Sequence, residues 1–240
     1  MAKYGASSVG WFLVGGRSLA GLQTQMTYKT TGSFEETNAL GDSWQESTPT
    51  GKLTGELSQT GWFDDAANSS VAAFVGSETT SQVVTVAPAG STAGSAATGF
   101  SGAFGADVER LIETDSLHKL NVTYKVSGAI EDGKIIEALA ARTATGNSAA
   151  VDNTTSSASG GSGYVQFTAV SGTSPTLAVV LQHSADDVTY TTLGTFTTAT
   201  AIGAERLTVS GTVNRYIRTN VTIGGSSSPS FTYTVAFARS

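Results

Sequence analysis

A chain of 240 residues with 28 glycines, only 13% charged side chains and no cysteine has room for one large or two small domains, and its Gly, Ser, Thr and Ala content favours turn-rich β structure. The missing cysteines exclude a disulfide-stapled scaffold and thiolate metal sites. A net charge of −6 opposes ordinary nucleic-acid binding, which needs Lys and Arg to displace counterions.

The charge is unevenly placed: residues 1–145 hold fifteen acids and nine bases, and the remainder four of each. Such a bias reads as a solubilising surface or as one that lets a polyanion pass without sticking. At the start, the apolar run Trp11–Val14 is cut off by Gly15, Gly16 and Arg17, so no signal-peptide core forms. No run reaches the roughly 18–20 apolar residues of a membrane span. The expectation is a protein made and used without crossing a membrane, in which the Asn-x-Ser/Thr triplets at Asn68, Asn121, Asn153 and Asn220 are chance.

Strands are predicted near 22–30, 52–60, 81–87, 103–113, 117–128 and 133–139. Lys52–Leu57 alternates, with Leu53 and Leu57 on one face; so does Leu120–Val126, with Asn121, Thr123 and Lys125 outward. A short amphipathic helix is expected over 65–75. Asp64 and Asp65 stand at its N-terminus, Ala67, Val71, Phe74 and Val75 form its stripe, and Gly76 closes it. Two long connections are expected. One, 31–51, is acidic and aromatic, with Phe34, Glu35, Glu36, Asp42, Trp44 and Glu46; the other, 88–102, is almost wholly Pro, Ala, Gly, Ser and Thr.

Between Thr143 and Gly163 thirteen of twenty-one residues are Ser, Thr or Gly, which reads as a linker or as a long surface loop. The division drawn is 1–145 for an assembly domain, 146–163 for the linker and 164–240 for a second domain. In the latter, alternation at Val165–Ala169, Leu177–Leu181, Ile217–Ile223 and Phe231–Phe237, with Tyr190–Phe196 and Ala204–Ser210 added between turn signals, predicts six strands of an antiparallel sandwich, jelly-roll or immunoglobulin-like.

Residues able to carry chemistry are sparse. His118 and His183 lie one in each half and read as edge or surface residues. No G-x-S-x-G elbow or phosphate loop occurs. Asp64–Asp65 is explained by capping, and Asp186–Asp187 by a β-turn rather than calcium. The reading is therefore not an enzyme, with no catalytic, metal or cofactor-binding residues and no cofactor.

Residues 1–140 resemble the tail tube (major tail) proteins of long-tailed bacteriophages. The resemblance rests on SVGWFLVGGRSLAG near the start and on GDSWQESTPTGKLTGELSQTGWFDD before the helix. HSADDVTYTTLGTF, SGTVNRYIRTNV and SFTYTVAFAR are similar to modules appended to phage structural proteins. The resemblance implies a mainly β fold: a tail-tube-like β-sandwich or barrel with one short flanking helix, plus the C-terminal sandwich. It implies a virion protein, assembled in the host cytoplasm, that forms hexameric rings stacked into a tube, a conduit for DNA ejection. Its partners would be further copies of itself and other phage tail proteins, with DNA passing through the lumen without specific binding and no membrane contact. Phe34, Glu35, Glu36, Asp42, Trp44 and Glu46 would form the inter-ring contact loop, and Trp11 and Phe12 would lie in a connecting N-terminal arm. The alternative is a virion decoration or adhesion protein that binds host-surface carbohydrate weakly through the C-terminal sandwich, with Tyr190, Tyr216 and Tyr233 as stacking candidates.

Overall fold

A computed structural model describes residue 5, residues 9–40 and residues 43–240 of the chain. The fold is mainly β. In order the elements are β1 (Trp11–Val14), β2 (Arg17–Ser18), β3 (Gln23–Glu36), β4 (Ser47–Trp62), helix α1 (Ser70–Phe74), β5 (Gln82–Ala87), β6 (Ala96–Leu111) and β7 (Lys119–Val126). They continue as β8 (Ile130–Arg142), β9 (Gly146–Asn147), β10 (Val151–Asp152), β11 (Gly161–Ser184), β12 (Thr191–Thr195), β13 (Gly203–Val209) and β14 (Tyr216–Arg239).

Antiparallel pairing runs β12-β11-β14-β8-β6-β5-β1-β2, with β7, β4 and β3 branching from β6. The branch exists because β6 changes neighbours along its length. Ala96–Phe100 pair with β8, whereas Ala103–Leu111 pair with β7, with a register shift at Gly105/Asp107. One core lies between the two resulting layers. Phe12, Val14, Val84, Val86 and Phe100 meet Leu57, Leu120, Val122 and Tyr124, and Phe74 of α1 joins the same cluster. The alternating buried residues of β7 are the period-two pattern read from the sequence.

The C-terminal half is built on one ribbon, β11 with β14, paired from Gly161↔Arg239 to Ser184↔Tyr216. The sequence suggests two strands in each of these segments, separated by the Gly/Ser/Pro stretches 171–175 and 224–230. Those stretches are instead irregular stations on continuous strands, where Gly172, Ser174, Gly225, Ser227 and Ser228 have positive φ. Bulges bend a strand pair without ending it. The bend brings Val165, Phe167, Tyr233 and Val235 into one core with Leu177, Val179, Leu181, Ile217 and Val221.

The Ser/Gly/Thr-rich segment 146–163 is more ordered than a linker. It contains β9, β10 and the start of β11, and Val151 is buried. The N–H of Ser148 donates to Thr219 O at 2.9 Å, and that of Asn153 to Arg215 O at 3.0 Å. Composition could not reveal β14 as the partner of this stretch. The two halves also share a sheet, because β8 lies between β6 and β14. A third core group, Trp11, Leu13, Ala97, Ile135, Tyr164 and Ala236, sits across that junction.

The helix is shorter than expected. The Asp64 side chain does not cap it: its Oδ1 accepts from the N–H of Ala66 at 2.9 Å, while its backbone carbonyl accepts from the N–H of Val71 at 3.1 Å, and the N-cap position belongs to Ser69. Of the expected stripe Phe74 is buried and Val71 half-buried, whereas Ala67 and Val75 are exposed; Ala73, outside that stripe, is buried instead.

A candidate assembly surface

The 31–51 segment is strand at both of its ends. β3 and β4 run on as a hairpin, with Phe34 opposite Pro49, Glu35 opposite Thr48 and Glu36 opposite Ser47. β7 pairs with β4 only from Gly55 to Trp62. Residues 47–54 therefore project past the body of the sheet, roughly 25 Å at about 3.3 Å per residue. Every residue of this projecting stretch of β4 is exposed.

The projection carries four of the nine large hydrophobic side chains exposed among the described residues: Phe34, Leu40, Trp44 and Leu53. Leu53 shares a face with Leu57, as its spacing predicts, but it lies beyond the body, so Leu57 is buried and Leu53 is 69% exposed. Phe34 and Leu53 both lie over the bare Cα of Gly32: a Cβ there would meet the Phe34 ring at 3.6 Å and Leu53 at 3.9 Å. The end of the hairpin is held locally. Gln45 Nε2 donates to Glu36 Oε1 at 2.5 Å, and the N–H of Glu46 to Asn38 Oδ1 at 2.6 Å. The carboxylates of Glu35, Glu36 and Glu46 make this end acidic; Asp42 lies outside the described residues.

Of the residues expected in the contact loop, Phe34, Glu35 and Glu36 are thus in β3, and Trp44 and Glu46 lie near the hairpin end. Trp11 and Phe12 are placed differently from the expected arm. They form β1, paired with β5, and each is 1% exposed. Alternating Trp11/Leu13 and Phe12/Val14 fill two different cores, so both faces of this strand are taken up within its own chain.

The four-stranded layer β6-β7-β4-β3 has two open edges. Among the described residues β3 pairs only with β4, and beyond Gly105, whose N–H donates to Ser77 O at 3.0 Å, β6 pairs only with β7. The 14-residue β3 has no proline and a single lysine, so little prevents another strand from adding to it. On the solvent face the cross-strand register assembles three polar rows: Gln25–Thr60–Asn121–Glu109, Thr27–Ser58–Thr123–Asp107, and Lys29–Glu56–Lys125, the last ending on β6 at Phe104. Asn121 Nδ2 donates to Glu109 at 2.9 Å, and Ser58 and Thr123 share a 3.3 Å hydrogen bond. Lys125 and Lys29 both donate to Glu56, the latter at 3.1 Å, and together they hold its carboxyl below the usual range. Alternation marked several of these residues as outward, but the rows depend on register, which the sequence does not display.

In the C-terminal half the three stacking candidates are differently engaged. Tyr233 is buried. The Arg218 guanidinium lies 3.6 Å from the Tyr190 ring centre, and that of Arg215 4.8 Å from Tyr216. Burial, followed by the hydrogen bond to Asp187, pushes the Tyr190 hydroxyl up to about 12. Asp186 organises a turn, accepting from Ser184 Oγ at 2.7 Å and from the N–H groups of Val188 and Thr189. Among the described residues no group of three or more His, Asp or Glu is placed to hold a metal, and no helix is long and apolar enough to cross a membrane.

No family model matches the chain, and no curated protein matches it. Among solved structures it is similar to a chain in the tail of an empty gene transfer agent particle refined with C6 symmetry. There the identity is 12%, the TM-score 0.40, and the match covers 54% of this chain and 97% of that one. A chain in the virion of a native gene transfer agent particle matches at 12% identity and TM-score 0.36, with the same coverage. The Dit protein of phage SPP1, described as a paradigm of the hub adsorption apparatus in phages infecting Gram-positive bacteria, also matches at 12% identity and TM-score 0.36. That match covers 95% of this chain and 98% of that one.

Proposed function

We propose that this chain is a virion structural protein, a subunit that closes into rings and stacks into a phage tail tube, rather than an enzyme. The observation that carries the reading is the β6-β7-β4-β3 layer with its two open edges. Joining β3 of one copy to β6 of the next is a heterologous contact, and repeated with a fixed rotation it closes a ring and leaves no edge. Six copies per ring follow the sequence resemblance to tail tube proteins. The projecting hairpin, with Phe34, Leu40, Trp44 and Leu53 exposed, then reaches a neighbouring ring and buries its apolar side chains there. The polar rows line the bore. They carry two lysines against three carboxylates, a nearly balanced wall over which DNA slides without being held. The C-terminal ribbon domain stands on the outside.

Negative-stain electron microscopy of the purified chain across concentration and salt tests this. Hollow tubes or rings about 80–110 Å across, the scale expected for six small domains, are the predicted result. Dispersed monomers at every concentration would overturn it.

A further inference from the structure

We propose that Glu56 is a charge-silencing residue, which occupies the ammonium groups of Lys29 and Lys125 and so keeps the polar face of β3, β4 and β7 from holding a polyanion such as nucleic acid. The inference rests on the reading of this face as the wall of a bore, and it names the residue on which passage without adhesion depends.

Lys29, Glu56 and Lys125 occupy one cross-strand row, with the acid on the middle strand. The two lysine side chains are 61% and 64% exposed, whereas the Glu56 side chain is 22% exposed. The lysines are thus presented to solvent with a single carboxylate between them. Strands about 4.8 Å apart put the lysine backbones roughly 10 Å from each other, so one carboxylate can reach both ammonium groups. The adjoining positions on the same face do not duplicate this role. Thr27, Ser58 and Thr123 lie on one side and Thr31 and Thr54 on the other; the nearest further acid, Asp107, is at the β6 edge. Glu109, in the outermost polar row, is hydrogen-bonded to Asn121. Without Glu56 the row would present two unopposed lysines, repeated once per copy around a ring. Each lysine that neutralises a phosphate releases a counterion, with a salt slope of about 0.9 per contact. Adhesion would therefore rise steeply at low salt.

Glu56→Gln keeps the size and one acceptor while removing the charge. On a heparin column at low salt the dispersed wild-type chain is expected in the flow-through. The E56Q chain is expected to be retained and to elute only as salt is raised. A Lys29→Gln/Glu56→Gln/Lys125→Gln chain is expected to return to the flow-through, and equal thermal melts establish that all three fold. In assembled particles E56Q is then expected to raise co-sedimentation of short duplex DNA at least tenfold. E56Q eluting with the wild type, or the triple variant remaining as strongly retained as E56Q, overturns the inference. Because the column reads dispersed chains, a failure to form rings counts against the tube reading alone.

Discussion

The backbone N–H of Gly16 donates to Oε1 of Gln166 at 2.7 Å, joining residues 150 positions apart. Nε2 of the same fully buried glutamine donates to Val83 O at 3.0 Å. One amide therefore fastens the β1–β2 turn and β5 to β11, where the end of the central sheet comes round to the C-terminal ribbon. Gly16 is required for this approach. Its φ is +84°, and a Cβ would stand 2.5 Å from Gly203 N and 2.6 Å from Phe167 O. Gln166→Leu should lower stability by about 1–3 kcal/mol, because it orphans the buried Gly16 N–H and takes one of two donors from Val83 O, which keeps the N–H of Gly15 at 3.0 Å. Gly16→Ala adds backbone collision to an unfavourable φ and should cost more than about 2 kcal/mol. Urea denaturation of the purified variants measures both, and a Gly16→Ala chain as stable as wild type would refute this account of the junction.

A second fastening joins β8 to β13. Arg206 Nη2 donates to Glu131 Oε1 at 2.8 Å and Arg206 Nε to Oε2 at 3.1 Å; Ser162 Oγ donates at 2.9 Å, and Tyr164 OH completes the set. Burial pushes the Glu131 carboxyl up, but the bonds from Arg206, Tyr164 and Ser162 outweigh it and leave the group below its ordinary 4.5. A depressed carboxylate contributes stability that is present above pH 4.5 and is lost as pH falls through the lower folded value. Arg206→Met should therefore destabilise at neutral pH by about 1–2 kcal/mol, since the pair is partly solvated. It should also move the onset of acid unfolding to higher pH, as followed by circular dichroism between pH 2 and pH 7.

His183 provides a separate pH response. Its Nδ1 accepts from the N–H of Asn214 at 3.0 Å, which only a ring unprotonated at that nitrogen can do. Burial first, then the Arg239 charge, lowers its pKa below 6.5. The unfolded chain thus binds this proton more readily than the folded one. The stabilising contribution is complete above pH 6.5 and declines as pH drops toward the folded value. His183→Asn retains an acceptor without the titration. Its stability should vary less than that of wild type between pH 5 and pH 7 in matched thermal melts; an unchanged slope would remove His183 from the explanation.

Substitutions on the hairpin should separate folding from assembly. Phe34→Ser, Trp44→Ser and Leu53→Ser replace exposed side chains, so each should alter monomer stability by no more than about 0.5 kcal/mol. If these residues anchor ring to ring, the triple variant should need at least tenfold more protein to form extended particles in sedimentation velocity runs. Extension at wild-type concentrations would show that the contacts lie elsewhere.

Much of the fold was legible from side-chain alternation. The spacing at Leu120–Val126 and Phe231–Phe237 gave strands, and their buried faces follow, because period two is a local property of extended backbone. The projecting hairpin was legible only as an acidic, aromatic segment. Its strand pairing was hidden because Thr, Ser, Pro and Gly between Ser47 and Gly51 give no apolar alternation. Trp11 and Phe12 were misplaced for the opposite reason. A four-residue apolar run is too short to show whether one face or both will be buried, and here neighbouring strands cover both.

By itself the sequence determined a mainly β chain without cysteine chemistry, with an acidic first half and outward polar residues at Asn121, Thr123 and Lys125. These follow from composition and short-range periodicity. Only the tertiary structure decided that Lys29, Glu56 and Lys125 form one row, that Gln166 fastens Gly16, and that two strand pairs merge into one bent ribbon. Each is a matter of register between segments far apart in the chain. A shift of one residue would turn every side chain of a strand to the other face, and only the packed cores on either side of the sheets fix the choice.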